Sequence, residues 1–417
     1  MNRILMKRIA LALVAIAMLG LASVAGLEIN RAGDSGNPGP VIDAAVQVRA
    51  GQYLARVGNC MGCHTVRGGK EYAGGRAMAT PFGTLYAPNL TSDEATGIGA
   101  WTADDFWQAL HNGRSKDGAF LYPAFPYPNY TKVTRADSDA MFAWFRTLAP
   151  VRQQNRPHEL RFPYNQRALL PLWRAFNFDQ GEYAAAPQQD AQWNRGAYLV
   201  QGLGHCSACH TGRNAMGGSI ADQGLGGGMI PMQNWYAPPL GSEMPAADIG
   251  QLLQTGVSAR GAVFGPMAEV VAGSLQHASD ADIRSMAAYL DTLPVAAPAA
   301  AVPVAPAAQA MLQQGAQLYK AQCAECHGAD GRGAASAYPS LAAGAGNPVN
   351  TIRMVLNGGY PPSTRGNPRP YGMPPFGPAL SDAEVAAVVS HLRTSWGNQG
   401  STVTALDVAR LRGVPAD

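Results

Sequence analysis

Cys60-Met61-Gly62-Cys63-His64, Cys206-Ser207-Ala208-Cys209-His210 and Cys323-Ala324-Glu325-Cys326-His327 use all six cysteines of the chain. In each, two thiols spaced by two residues are followed at once by a histidine. That pattern suits covalent attachment of haem c. The thiols add across the two porphyrin vinyl groups as thioethers, and the adjacent histidine reaches beneath the ring to bind iron. A redox dithiol or half of a zinc site could use one such motif. Three copies suit neither, because zinc would need a second Cys or His pair at matching spacing. A disulfide framework would not put histidine after every second cysteine. The sequence therefore implies three haem c groups on Cys60, Cys63, Cys206, Cys209, Cys323 and Cys326, with His64, His210 and His327 as axial ligands.

An iron that only carries electrons needs a sixth ligand, and a methionine thioether is common because it favours the ferrous state. Gly265-Pro266-Met267 stands 57 residues after His210, and Gly372-Met373-Pro374-Pro375 stands 46 after His327. Buried filler is the usual role of a methionine. Stiff flanks and an approaching helix make Met267 and Met373 the expected ligands. The first motif breaks this pattern, because Tyr122-Pro123-Ala124-Phe125-Pro126-Tyr127 puts Phe125, which cannot bind iron, 61 residues after His64. Three outcomes stay open. Met78, only 14 residues after His64, supplies the ligand from another loop; a histidine such as His111 does so; or the iron is five-coordinate. His111 itself reads as a helix-surface histidine, and His205 as part of the attachment loop.

The elements that must position these groups recur with the motifs, which lie 146 and 117 residues apart. A short helix precedes each motif, around Gly51-Gln52-Tyr53-Leu54, Gly196-Ala197-Tyr198-Leu199, and Gly315 with Leu318-Tyr319. A middle helix ends at Gly113, Gly256 or Gly358. An amphipathic helix closes each repeat over Asp137 to Leu148, Ser279 to Leu293 and Ser381 to Ser395, the last two opening with a cap, Ser279 with Asp282 and Ser381 with Glu384. This is similar to the class I cytochrome c fold, repeated three times. The expected architecture is all-α and loop-rich, with cytochrome c domains at 44–183, 190–293 and 309–398. An Ala/Pro-rich linker covers 294–308 and a tail covers 399–417.

Composition agrees, since 14% charged residues, 48 glycines and 31 prolines in 417 residues describe loops wrapped around a prosthetic group. The net charge is +3, and leaving out Arg3, Lys7 and Arg8 brings Lys and Arg to 28, equal to the acidic residues. A near-neutral body without basic tracts argues against nucleic acid. Ile9 to Leu27 is an apolar run after a basic start, so residues 1–27 form a signal peptide, with Ser23-Val24-Ala25 before the cut, or a membrane anchor. In either case the haem domains are exported to the periplasmic face of a bacterial inner membrane.

The chain resembles the triheme cytochrome c subunits of bacterial membrane-bound dehydrogenases for alcohols, gluconate, sorbitol, aldehydes and N-heterocycles. The resemblance runs from about Gly51 to Asn398 and rests on Gly74-Gly75, Thr80-Pro81-Phe82-Gly83-Thr84, Tyr86-Ala87-Pro88-Asn89-Leu90-Thr91 and Gly97-Ile98-Gly99. It continues through Trp235-Tyr236-Ala237-Pro238, Gly265-Pro266-Met267-Ala268-Glu269-Val270 and Trp396-Gly397-Asn398. It implies a subunit that accepts electrons from a separate catalytic subunit and passes them to ubiquinone or an oxidase. That partner would carry a flavin, pyrroloquinoline quinone, or a molybdenum cofactor with iron-sulfur clusters. Phe125 stands where alcohol and gluconate types show methionine, which implies the molybdenum-containing aldehyde or N-heterocycle type.

The chain itself shows no dehydrogenase equipment, since Gly224 to Gly228 lacks the setting of a dinucleotide fingerprint. One competing reading is a haem enzyme that reduces peroxide or a nitrogen oxide at an open first iron, with Phe125 lining the pocket and His111 or Arg114 assisting. Another is a cytochrome subunit of a terminal oxidase, which the third haem motif disfavours.

Overall fold

The computed structural model describes residues 20, 22–31, 33–241, 244–294, 308–334, 337–342 and 344–414. Most of the 1–27 leader, residues 295–307 of the linker and residues 415–417 of the tail lie outside them. Among the described residues no helix is long and apolar enough to cross a membrane.

The chain forms two compact units, one of residues 1–55, 63–184 and 215–218, the other of residues 56–62, 185–214 and 219–417. In the first, helices Ala44–Val57, Ala103–Asn112 and Arg135–Phe145 surround a core whose largest buried side chains include Trp107, Tyr127, Phe145 and Met141. Thr102 and Asp105 form a reciprocal capping box at the start of the middle helix, and Gly113 ends it in the left-handed region at φ 58°.

The second unit repeats this arrangement twice. Helices Ala191–Tyr198, Ala246–Thr255 and Asp280–Asp291 surround the second motif, and Gln309–Gln322, Pro348–Asn357 and Asp382–Thr394 the third. Ser279 accepts the Asp282 N–H, and Ser381 with Glu384 forms a full capping box. A further helix, Ala405–Arg412, lies in the stretch read as a tail. It puts Val408 and Leu411 into the core with Ile352, Val385 and Val389.

In each repeat the first and last helices meet at a glycine. A Cβ on Gly51 would lie 1.8 Å from the Ala140 carbonyl oxygen, on Gly196 1.9 Å from that of Ser285, and on Gly315 2.1 Å from that of Ala387. Only glycine permits such backbone contact. Aromatic and apolar side chains then fill the crossing, including Tyr72 against Trp144 with centroids 5.2 Å apart and Trp193 against Tyr289 at 5.0 Å.

The structure is helix-rich but departs from the all-α expectation. Strands Ala77–Thr80 and Gly83–Tyr86 form a hairpin extended by Glu159–Leu160; Gly228–Ile230 pairs with Trp235–Ala237, and Val257–Ser258 with Gly261–Ala262. Runs of two to four residues carry no readable alternation, and these hairpins are set by the loops they close.

Candidate haem sites

Each Cys-x-x-Cys-His sequence is a short turn of helix, over Cys60–His64, Ser207–His210 and Ala324–His327. The loop that follows returns to the histidine twice. The Gly74 N–H donates to the His64 carbonyl at 2.8 Å, Gly227 to His210 at 2.8 Å and Gly333 to His327 at 2.9 Å. The imidazole Nδ1–H of each then donates to a proline carbonyl, Pro88 at 2.8 Å, Pro238 at 2.7 Å and Pro339 at 3.1 Å. This fixes the ring tautomer and leaves Nε2 with its lone pair for a metal.

The electrostatics keep these rings neutral, as an iron ligand must be. The His64 ring is crowded by protein yet half-open at its surface, and desolvation pushes its pKa down to about 4 despite the Pro88 bond. Burial lowers His210 and His327 in the same direction. Desolvation, with a smaller contribution from the neighbouring thiol, pushes Cys206 up to about 12 and Cys323 up to about 11. A reactive redox dithiol needs the opposite shift. Among the described residues no three His, Cys, Asp or Glu side chains converge as a metal cluster would require. Paired thiols beside a histidine whose Nδ1 is tethered to a proline carbonyl fit haem c, which when bound would supply a one-electron iron couple.

Met267 lies half-buried in the first turn of helix Pro266–Gly273. Gly265 before it, at φ 53°, packs so closely on the Trp235 indole that a Cβ would come within 2.6 Å. Met373 is half-buried against the third core, its backbone exchanging two hydrogen bonds with Gly359 at 2.8 and 2.9 Å. Met78 sits half-buried on strand Ala77–Thr80, opposite Leu85, in the hairpin rooted at both ends on His64.

Phe125 packs against Tyr127, Trp173 and Phe178, with its ring 5.3 Å from Tyr130. His111 corrects the expectation of a helix-surface side chain. It is fully buried and stacked on Trp107 at 4.2 Å. Its Nδ1 faces the Thr131 carbonyl at 3.0 Å and its Nε2 the Asp34 carboxylate at 2.9 Å, so neither nitrogen is left for iron. Arg114 is bonded to Glu28 at 3.4 Å and lies over Phe120. Both polar groups offered for chemistry at an open iron are thus committed elsewhere. His205 sits at φ 39° beside Cys206, its Nε2 against the Gly58 carbonyl, as an attachment-loop residue would be.

The sequence reading overlooked the three proline carbonyls. Their signal was present in the repeated Tyr86-Ala87-Pro88, Tyr236-Ala237-Pro238 and Tyr338-Pro339.

Helices crossing at a glycine, with an attachment turn and a proline-tethered histidine, define a c-type cytochrome. Accordingly, a family model described as "Cytochrome c" matches residues 48–149, and one described as "Cytochrome C oxidase, cbb3-type, subunit III" matches residues 310–392. The chain is 40% identical to the gluconate 2-dehydrogenase cytochrome c subunit of Pantoea cypripedii, over 95% of this chain and 93% of that one. It is 38% identical to the cytochrome c subunit of the quinone alcohol dehydrogenase of Gluconobacter oxydans, over 88% and 82%. It is 41% identical to a nicotinate dehydrogenase subunit of Pseudomonas putida, over 85% of this chain and 31% of that longer one. The chain belongs to the family of cytochrome c subunits of membrane-bound dehydrogenases, and its role is electron transfer with a catalytic dehydrogenase as partner.

Proposed function

We propose that the protein is a triheme cytochrome c of three tandem domains, bounded at 44–183, 190–293 and from 309 onward. It would take electrons one at a time from its dehydrogenase and pass them to ubiquinone or the respiratory chain. The observation that carries this reading is the threefold tether from a CxxCH histidine Nδ1 to a proline carbonyl. His64, His210 and His327 hold iron on one side, and Met267 and Met373 close the second and third sites. Met78 is the candidate at the first.

The nicotinate dehydrogenase subunit among the relatives supports an N-heterocycle as the partner's substrate; the molybdenum and iron-sulfur centres proposed for that partner come from the sequence resemblance at Phe125. The gluconate relative at similar identity supports a sugar acid as substrate instead, so Phe125 carries the choice.

The proposed role includes export to the periplasmic face and attachment to the bilayer, supported by the leader sequence and by a run of exposed apolar side chains. Phe162, Tyr164, Leu169, Leu172 and Phe176 are 80, 47, 48, 49 and 73% exposed within one short stretch of the first unit. Monomeric proteins rarely display such a face without use. The helix over residues 22–31 is bonded to the same stretch through Glu28 and Arg174 at 2.9 Å. The occupant is a lipid surface.

The test is to tag the C-terminus, solubilise native membranes gently, and determine the co-purifying subunits with their haem, molybdenum and flavin content. Three haems per chain with a molybdenum subunit is the expected result. A flavoprotein or quinoprotein would overturn the substrate class alone, and the absence of any dehydrogenase would overturn the role.

A further inference from the structure

Helix Pro348–Asn357 of the third repeat carries two side chains that act on the second. The Asn350 amide bonds one residue of strand Trp235–Ala237 in both directions, accepting the Tyr236 N–H at 2.9 Å and donating to the Tyr236 carbonyl at 2.8 Å. One residue earlier, Trp235 lies under the guanidinium of fully buried Arg353, at 4.5 Å. Trp235 is also the surface on which Gly265 rests ahead of Met267. Two residues after Tyr236, the Pro238 carbonyl holds His210. One short strand thus supports both the histidine and the methionine side of the second site, and a different repeat fixes that strand.

The contact continues past the end of the helix. A Cβ on Gly359 would lie 3.7 Å from the Phe264 ring, and the Gly359 backbone is the one paired with Met373. Phe264 directly precedes Gly265. The two methionine segments therefore form opposite sides of one wall.

We propose that Asn350 and Arg353 are positioning residues for the second iron site, so that the third repeat sets the ligation and potential of the iron on His210. This rests on the reading that His210 with Met267, and His327 with Met373, hold haem iron. A thioether bond to iron depends on where its loop is held, and a buried cation in the wall favours the less positive ferrous state.

The test uses the full haem-loaded chain as wild type, Asn350→Ala, Asn350→Asp and Ser381→Ala. Haems are counted spectroscopically, the charge-transfer absorption of methionine-ligated ferric iron is recorded, and midpoint potentials are titrated. Met267→Ala identifies the signals of the second iron. Asn350→Ala is expected to keep three haems, weaken the methionine band of the second iron, and shift its ferric-to-ferrous ratio about tenfold, which is about 59 mV for one electron. Asn350→Asp, which retains the bond from the Tyr236 N–H, shows the same change if Asn350→Ala does not hold its haem. Ser381→Ala removes a helix cap of the third repeat and is expected to lower stability without moving the second iron. Wild-type band and potentials in both Asn350 variants would overturn the proposal even if both melt earlier. A wild-type chain with fewer than three haems, or without a methionine band assignable to Met267, would overturn the underlying reading instead.

Discussion

Asp34 Oδ2 lies 2.9 Å from Nε2 of His111, and the Thr131 carbonyl takes the other ring nitrogen, so an imidazole that looked available from the sequence is a buried brace. Desolvation would raise the Asp34 carboxyl, but the Gly36 N–H and His111 outweigh it and hold its pKa below the ordinary value. Replacing His111 with Phe is expected to cost about 1–3 kcal/mol by leaving the carbonyl of buried Thr131 without its donor. Haem content and the response to carbon monoxide should stay at wild type. Denaturant titration and a carbon monoxide difference spectrum check both, and new gas binding in this variant would return His111 to the list of ligands.

Glu28 makes the first unit acid-sensitive. Burial would raise its pKa, but the hydrogen bonds and charges of Arg174 and Arg31 prevail and hold it below 4.5. A carboxyl depressed on folding binds fewer protons in the native state. Its contribution is complete above the ordinary value, shrinks as pH falls through it, and is gone below the folded pKa. Glu28→Gln leaves fully buried Arg174 without its counter-ion at 2.9 Å and is expected to cost about 3–5 kcal/mol at neutral pH. It should also flatten the acid limb of a stability-against-pH curve.

Gly196→Ala forces a methyl to a point 1.9 Å from the Ser285 carbonyl. The helices must part, and overpacking of this kind costs about 1–3 kcal/mol or more. Thermal melts should show a clear loss, with the Tyr289 and Trp193 pair separating by fluorescence. An unchanged melt would mean that the crossing is looser than described.

Cys323→Ser with Cys326→Ser is expected to lower covalent haem from three groups per chain to two. Mass spectrometry of the intact chain reads this directly. Met78→Ala with carbon monoxide as probe tests the first site, since gas binding gained on substitution identifies Met78 as a ligand, while equal binding before and after does not.

Leu172→Glu with Phe176→Glu should release the protein from lipid. Each buried apolar side chain is worth about 1.5–3 kcal/mol, so vesicle partitioning should fall at least tenfold per residue. Flotation with a leaderless chain separates this face from any anchor.

What could be read from the sequence was mostly local or repeated. The attachment turns, the glycines of the helix crossings and the caps at Ser279 and Ser381 are each set within a few residues or by three parallel copies. The burial of His111 depends on Thr131 and Asp34, which are 20 and 77 residues away. Asn350 and Tyr236 are 114 residues apart, and although Tyr236 lies in a repeated Tyr-Ala-Pro segment, nothing in that repeat points to Asn350. The buried Arg174 is held by Glu28, 146 residues earlier, and nothing near either residue in the sequence marks the pair. Single copies with distant partners leave no periodicity to detect.

The amide of Asn350, locked to a single backbone unit of Tyr236, also constrains how such chains can be recombined. A hybrid that takes residues 228–237 from one relative and 348–357 from another would inherit a strand shaped for one helix and a helix shaped for another strand. Crossovers within the Ala/Pro-rich stretch between Pro294 and Pro306 look harmless in the sequence but separate these two partners. Lineages that gain, lose or exchange a terminal haem unit should therefore show matched substitutions at Trp235, Tyr236, Asn350 and Arg353, inherited as one block.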